Sequence, residues 1–570
     1  MANDFKFTPE EIPPATYHHS RYQRLRNEQS IFRLHWHDLA RFMSPRRGRY
    51  LLTDTDVVQF NGAKKNQHII NGTAFQAVRT FGAGMQGGLT SPSRPWMKLE
   101  AAGDQGLNGY TPVKQWLDIA TRRLLAVFAA SNFYASNHST YEELGIFGPA
   151  SMIIDEDFDY VINCRPLTIG EFCFSLDARY SPTTMYRSLN LTALQIAELF
   201  GQDGHIPLSV QSALMCRNYE QRFECLHAIW PSKMVDPTKA DYRSMPYSSV
   251  YLLKGGGEDG ILKEGGYNSL PFTGPRWGAY GADPYGDSAG MQALGDVRQL
   301  QKMEEKKLIG LDKIVDPPMV GPSSLKGNGA TTVPGGLTFV DQAAGVQGFR
   351  PAYEVSIDVE KIAAEIKNVE DRIGGFFFNP LFLSILSQEK EMTATEIAKR
   401  YEEKVQMLGP VIESVQRDSL GVSIDRTFDI MVRHKLFPPP PPELQGQALK
   451  VNYTSSLAQA QKLVSANPIQ QFTEFLGAVA PMAPQATVRV NFDKMVQHYA
   501  DATGLPPDIL NSDAVVAKTL AQQAQNASAA NMSQAAPGLA QAAKSASQAQ
   551  LGGDQNLLQA VTGNKGPTNP

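Results

Sequence analysis

The sequence predicts an α+β fold, and three observations predict it. Apolar residues recur every three to four positions over 17–45, 64–82, 113–135, 287–315 and 356–373, which is helical patterning. Short apolar and β-branched runs separated by turn residues fill 148–180 and 216–280, which is strand patterning. Helices and strands are grouped along the chain instead of alternating. At 570 residues the chain exceeds one ordinary domain, and 42% hydrophobic residues suffice for a buried core.

Residues 17–45 form a basic helix with Tyr22, Leu25, Phe32, Trp36 and Leu39 as its stripe; Pro45 ends it. A second helix, 64–82, carries Ile69, Ile70, Thr73, Ala77 and Phe81, and a Gly- and Pro-rich break follows over 82–95. A third spans 113–135, with Val113, Trp116, Leu117, Ala120, Leu124 and Val127 facing inward. Met152-Ile153-Ile154, Asp159–Ile162 and Glu171–Phe174 read as strands. Thr192 and Gln195 make a capping box for a short helix that stops at Gly201. Antiparallel strands fill 216–280, with turns at Gly255-Gly256-Gly257 and Gly265-Gly266.

Residues 287–315 read as one helix ending before Pro317-Pro318; at about 1.5 Å per residue it is roughly 40 Å long. Its stripe is Met291, Leu294, Val297 and Leu300. A small β-element over 317–352 precedes a second helix, 356–373, with Val359, Ile362, Ile366, Val369 and Ile373 on one face. An apolar loop, 374–392, follows. Thr393 and Glu396 form another capping box, and Gly409-Pro410 kinks the helix it opens, because Ile412 and Val415 continue the stripe. The five prolines 438–442 stop all helix. A strand at 448–453 and a helix at 456–480 come next. The Ala/Gln/Ser-rich stretch 514–550 is either weakly amphipathic helix or disordered.

Composition excludes several functions. The balance of 53 Lys+Arg against 57 Asp+Glu, net −4, argues against gripping nucleic acid over most of the surface. Four cysteines rule out a disulfide scaffold. The polar, proline-broken N-terminus reads as no secretion signal, no apolar run reaches a membrane span, and the N-x-[ST] sites at Asn71, Asn190 and Asn452 therefore carry no message.

Chemical motifs are weak. Gly82–Gly87 matches G-x-G-x-x-G, but a dinucleotide site needs a strand before it and a helix after it; here it reads as a helix end and turn. His35 and His37 sit two apart in a helical stretch, which points them away from a shared metal. Cys164, Cys173, Cys216 and Cys225 lack zinc spacing and read as buried, inert thiols. Glu142-Glu143 and Asp155-Glu156-Asp157 read as solvated turns, not catalytic carboxylates. Arg46, Arg47, Arg49, Lys64 and Lys65 form the one basic patch. No active site is legible.

Several longer pieces are more specific. They are Lys65–Asn71; Gly84–Trp96; Leu191–Gln195 with Leu199-Phe200-Gly201; Pro284–Ser288 leading into a helix that ends at Asp316-Pro317-Pro318; and Met392–Glu396 opening a helix that reaches Leu408-Gly409-Pro410. In this order and spacing they resemble the portal, or head-to-tail connector, proteins of short-tailed (podovirus-type) bacteriophages, over roughly residues 17–510. The resemblance implies a phage portal fold with wing, stem, clip and crown regions, assembled as a ring of twelve at one capsid vertex of the virion. Double-stranded DNA would pass through it without sequence specificity during packaging and ejection. Its partners would be itself, the major capsid protein, the scaffolding protein, the terminase large subunit of the packaging motor and a tail adaptor protein, with assembly in the host cytoplasm. No catalysis, cofactor, metal or membrane is implied.

On that plan 1–286 is the wing, 287–316 a stem helix, 317–355 the clip, 356–373 the second stem helix and 374–392 the tunnel loop. Residues 393–450 are a wing helix with a proline-rich extension, 451–512 the crown-proximal region, and 513–570 the tail. DNA-facing tunnel positions would be Asn379, Ser384, Ser387, Gln388, Glu389 and Lys390. Val359, Ile366 and Ile373 are candidate subunit-interface positions, with packing inside one subunit equally open. Twelve copies at −4 would carry roughly −48 in total, which favours a weakly interacting wall for a passing polyanion. Another head–tail or tail-ring virion component is the alternative, and a nucleotide-binding enzyme a remote one.

Overall fold

The computed structural model describes residues 15–51, 66–320 apart from 103–106, 109, 203, 234, 237, 240 and 318, then 350–351, 358–386 and 406–459, with scattered positions beyond 471. Contacts divide the chain into Met1–Thr503 and Gly504–Pro570; in the second unit only the helical positions 519, 522, 541 and 544 are described.

The first helix, α1 (Ala15–Met43), has two jobs. Its first half lays Ala15, Tyr22 and Leu25 on a sheet beside Cys173, Tyr186, Leu226 and Val250. Its second half sends Trp36, Leu39 and Met43 into the main core, where the Trp36 indole donates to the Phe147 carbonyl at 3.0 Å. The second helix, α2 (Thr73–Leu89), starts later than its sequence pattern suggested and runs through the glycines of the expected 82–95 break, which falls instead at 90–95. Those glycines let neighbours approach closely on more than one side of the helix. A Cβ on Gly82 would come within 2.8 Å of Glu142, and one on Gly88 within 3.4 Å of Leu457. Close packing thus overrides the poor helix propensity of glycine.

Strand β1 (Met97–Ala101) carried no clear sequence signal; it exists because β11 (Leu449–Tyr453) pairs with it antiparallel, Met97 opposite Tyr453. The expected 113–135 helix is two: α3 (Thr111–Ala130) and α4 (Phe133–Phe147). Asn132 makes the break, its amide exchanging two 2.8 Å hydrogen bonds with the Cys164 backbone as a strand neighbour would.

Strands β2 (Ser151–Asp157) and β3 (Val161–Leu167) form a hairpin, so Asp159-Tyr160 belongs to its turn. Five antiparallel strands follow in order: β4 (Phe172–Leu176), β5 (Pro182–Thr192), β6 (Arg222–Pro231), β7 (Tyr247–Leu253) and β8 (Ile261–Tyr267). Two short helices, α5 (Ala193–Phe200) and α6 (Leu208–Met215), interrupt the sheet; the Thr192/Gln195 capping box opens α5 and Gly201 caps it, as the sequence predicts. Gly255 and Gly257 take positive φ in a turn. Gly265-Gly266 do not: they lie inside β8, where a Cβ on Gly266 would stand 2.3 Å from the Tyr242 carbonyl.

The long helix α7 (Ala289–Val315) is capped by Ser288, whose hydroxyl accepts from the Met291 amide at 2.9 Å. A two-residue pairing, β9 (Met319–Val320) with β10 (Arg350–Pro351), marks the expected β-element; 321–349 lie outside the described residues. Helix α8 (Val359–Phe376) returns along α7. The next segment departs from expectation: the apolar loop contains a helix, α9 (Asn379–Leu386). Leu381 and Phe382 are its reason, because both are fully buried in the main core. The Thr393/Glu396 capping box lies outside the described residues. Helix α10 (406–433) continues through Gly409-Pro410 and contains a π-helical turn, Gln416–Gly421. That turn frees carbonyls for other partners: Gln416 accepts from the Tyr453 hydroxyl at 2.9 Å and Asp418 from the Gly274 amide at 3.0 Å. Among the described residues no helix is long and apolar enough to cross a membrane.

Candidate functional site

The helix pair α7/α8 and the joint between α8 and α9 are the candidate site, because the family resemblance leads us to expect a stem and a tunnel loop there. Helices α7 and α8 run antiparallel through their buried stripes, and at the surface Arg372 on α8 bonds Asp296 on α7, Nη2 to Oδ1 at 3.0 Å. Segment 66–72 straps the pair. Gln301 accepts from the amides of Ile70 (2.7 Å) and Asn71 (3.0 Å), and its own amide donates to the Asn71 carbonyl at 2.8 Å. The Asn71 amide donates to Glu370 on α8 at 2.8 Å and to Glu304 on α7 at 3.2 Å. Its Oδ1 accepts from the Thr73 amide at 2.9 Å, which starts α2. One asparagine therefore ties α2, α7 and α8 together. The sequence held a signal for this: Asn-Gly-Thr, set aside as an idle glycosylation pattern, is also a side-chain turn at a helix start.

At that joint, Phe378 links α8 to α9 with φ of +55°, a left-handed conformation costly for a bulky residue. Packing holds it. Phe378 faces Trp277, Trp277 faces Phe81, and Phe81 meets Phe377 and Phe382 edge-on. Helix α2 receives Phe382 at Gly84.

The predicted positions divide accordingly. Asn379 heads α9, half-buried, and its Oδ1 has no hydrogen-bond partner among the described residues. Ser384 lies within α9, while Ser387, Gln388, Glu389 and Lys390 lie outside the described residues. Ile366 and Ile373 are buried in the chain's own core against α2 and α7, the packing inside one subunit that the sequence left open beside an interface. The side chain of Val359 is outside the described set.

Other motifs resolve differently. Gly82–Gly87 lies within α2, so it offers no phosphate loop. Arg47 leaves the basic patch and turns inward, its guanidinium on Glu142 and, at 2.7 Å, on Glu143. Glu143 is buried, not solvated; burial pushes its carboxyl pKa up and Arg47 works against that. Lys64 and Lys65 lie outside the described residues. Burial lifts the Cys164 and Cys225 thiols to about 12 and that of Cys173 to about 11, whereas Cys216 is exposed, contrary to expectation.

A buried polar row crosses β5, β6 and β7 of the sheet. Arg187 Nε donates to His227 Nδ1 at 3.0 Å, so that nitrogen carries no proton. His227 Nε2 then donates to Ser249 at 2.9 Å, and the ring stacks on Tyr251 at 3.8 Å. Burial, with Arg187 alongside, holds the His227 pKa well below the ordinary histidine value. A serine and histidine in contact here are a structural link, because Arg187 occupies the place an orienting carboxylate would need.

Residues 15–510 match the family described as bacteriophage head to tail connecting protein. The chain belongs to this family. It is 40% identical over 512 residues to the "Probable portal protein" of Bordetella phage BPP-1, covering 89% of this chain and 91% of that one. It is 36% identical over 543 residues to the "Portal protein" of Salmonella phage epsilon15, covering 94% and 96%. This head-to-tail connecting protein is a phage portal protein, of a family that is structural and not enzymatic. The strap on α7/α8 and the aromatic joint at Phe378 are accordingly features of a scaffold.

Proposed function

We propose that twelve copies of this chain form a ring at one capsid vertex, through which double-stranded DNA is packaged and later ejected. The ring docks the terminase motor from outside and afterwards the tail adaptor; it contacts the major capsid and scaffolding proteins at its rim. Residues 1–286 and 393–453 form the wing, since β11 pairs with β1. Helices α7 and α8 form the stem and 317–355 the clip, with 454–512 on the crown side and 513–570 as the tail. DNA faces Ser384, Ser387, Gln388, Glu389 and Lys390, which follow the buried anchor of α9.

The observation that carries this reading is the hairpin itself. Two helices packed antiparallel through their buried stripes are joined by the 43 residues 316–358 at one end and meet an aromatic joint at the other. Family membership supports the same plan. The test is deletion of 387–392, which spares the core residues Leu381 and Phe382. Assembly persists and packaging or retention of DNA falls; normal packaging by this variant contradicts the tunnel assignment.

A further inference from the structure

We infer that the side chains of Lys307 and Asn71 join in a covalent amide, with Glu304 carrying protons between them. The bond links α7 to the start of α2 inside one chain, so it stands apart from the ring reading.

The groups meet in the unreacted state. Lys307 Nζ lies 2.5 Å from Glu304 Oε2, and Glu304 Oε1 accepts from Asn71 Nδ2 at 3.2 Å. One carboxylate therefore touches both the amine and the carboxamide. A lysine three residues after a glutamate on a helix is commonly no more than a solvated ion pair. This pair differs in two ways. The Lys307 and Glu304 side chains are only 25% and 12% exposed, and the second carboxylate oxygen is used on a residue 233 positions away.

Asn71 itself is held as an amide about to be attacked. Its Oδ1 accepts from the Thr73 amide at 2.9 Å and from the Thr73 hydroxyl at 2.7 Å. Thr73 begins α2, so that amide is one of the donors a helix start leaves unpaired. Both donors stabilise the negative charge that attack would build on Oδ1. The nitrogen that must leave faces two carboxylates, Glu370 at 2.8 Å and Glu304 at 3.2 Å.

The step balances without another reactant. The Lys307 ammonium gives a proton to Glu304, which frees the Nζ lone pair. Nζ adds to Asn71 Cγ, a C–N bond forms, and Oδ1 takes the negative charge. Glu304 hands its proton to Nδ2 and accepts a second one from Nζ. The Cγ–Nδ2 bond breaks as the carbonyl reforms, and the departing ammonia takes up the second proton. One ammonium and one carboxamide become one secondary amide and one ammonium ion.

The test is a protease digest of the purified full chain, after overnight incubation at neutral pH, read by tandem mass spectrometry. The peptide holding Asn71 should be joined to the one holding Lys307, lighter than the two separate peptides by one ammonia, about 17 Da. Lys307→Arg should abolish the joined peptide, and Glu304→Gln should lower its fraction by about tenfold or more. Wild-type peptides that stay separate at full mass overturn the inference. So does loss of ammonia from Asn71 without a link to Lys307, as closure on the Gly72 amide would give. A link that persists at the wild-type level in Glu304→Gln overturns the part assigned to Glu304. The wild-type digest decides the bond even where a variant fails to fold.

Discussion

A methyl group placed on Gly84 would stand 2.2 Å from the ring of Phe382. That closeness joins α2 to α9 and decides where the chain emerges after α8. Gly→Ala in a helix interior ordinarily stabilises by about 1 kcal/mol. Here the overlap reverses the sign, and Gly84→Ala destabilises by about 1–3 kcal/mol. Denaturant unfolding of the full chain checks this; a variant as stable as the parent refutes the packing. Phe382→Ala costs about 3–5 kcal/mol, and the two changes together cost less than their sum.

Arg47 is the second lever. Its guanidinium neutralises Glu143, which is buried beneath it. Arg47→Met leaves that carboxyl without its cation and lowers stability by about 3–5 kcal/mol. Adding Glu143→Gln returns most of the loss. Thermal unfolding of the two single variants and the double variant measures the coupling.

The His227 row predicts a dependence on pH. Its pKa in the folded chain is depressed below the unfolded value of about 6.5, so below that pH the unfolded chain binds the extra proton. Stability from this group is full above about pH 7 and is lost as pH falls below about 6.5. The melting temperature should decline from pH 7.5 to 5.5, and His227→Gln should flatten that decline. An equal slope in the variant contradicts the neutral assignment.

Asn71 tests the strap. Asn71→Ala removes donors from Glu370 and Glu304 and the acceptor that starts α2. We expect a loss of about 1–3 kcal/mol, and faster hydrogen exchange at the start of α2 and along α8. Unchanged exchange there would show that the strap is dispensable.

Much of this was legible in the sequence. The long helices α1, α7 and α8 were, as were the Thr192/Gln195 box and the proline stop, because local spacing and side-chain caps determine them. What failed depended on distant partners. The glycines of α2 read as a break because the residues they accommodate, Glu142, Phe382 and Leu457, lie far along the chain. Strand β1 depends on β11 in the same way. Leu381 and Phe382 read as loop because a short apolar run does not declare what it packs on. Ile366 and Ile373 showed an apolar face correctly; sequence alone could not say whose core it served.

The central claim is a ring with a hole. Electron micrographs of the purified full chain test it most directly. Particles viewed end-on should show twelve-fold rotational symmetry around an open centre. Lone compact particles with no central opening, at every concentration examined, would contradict the account.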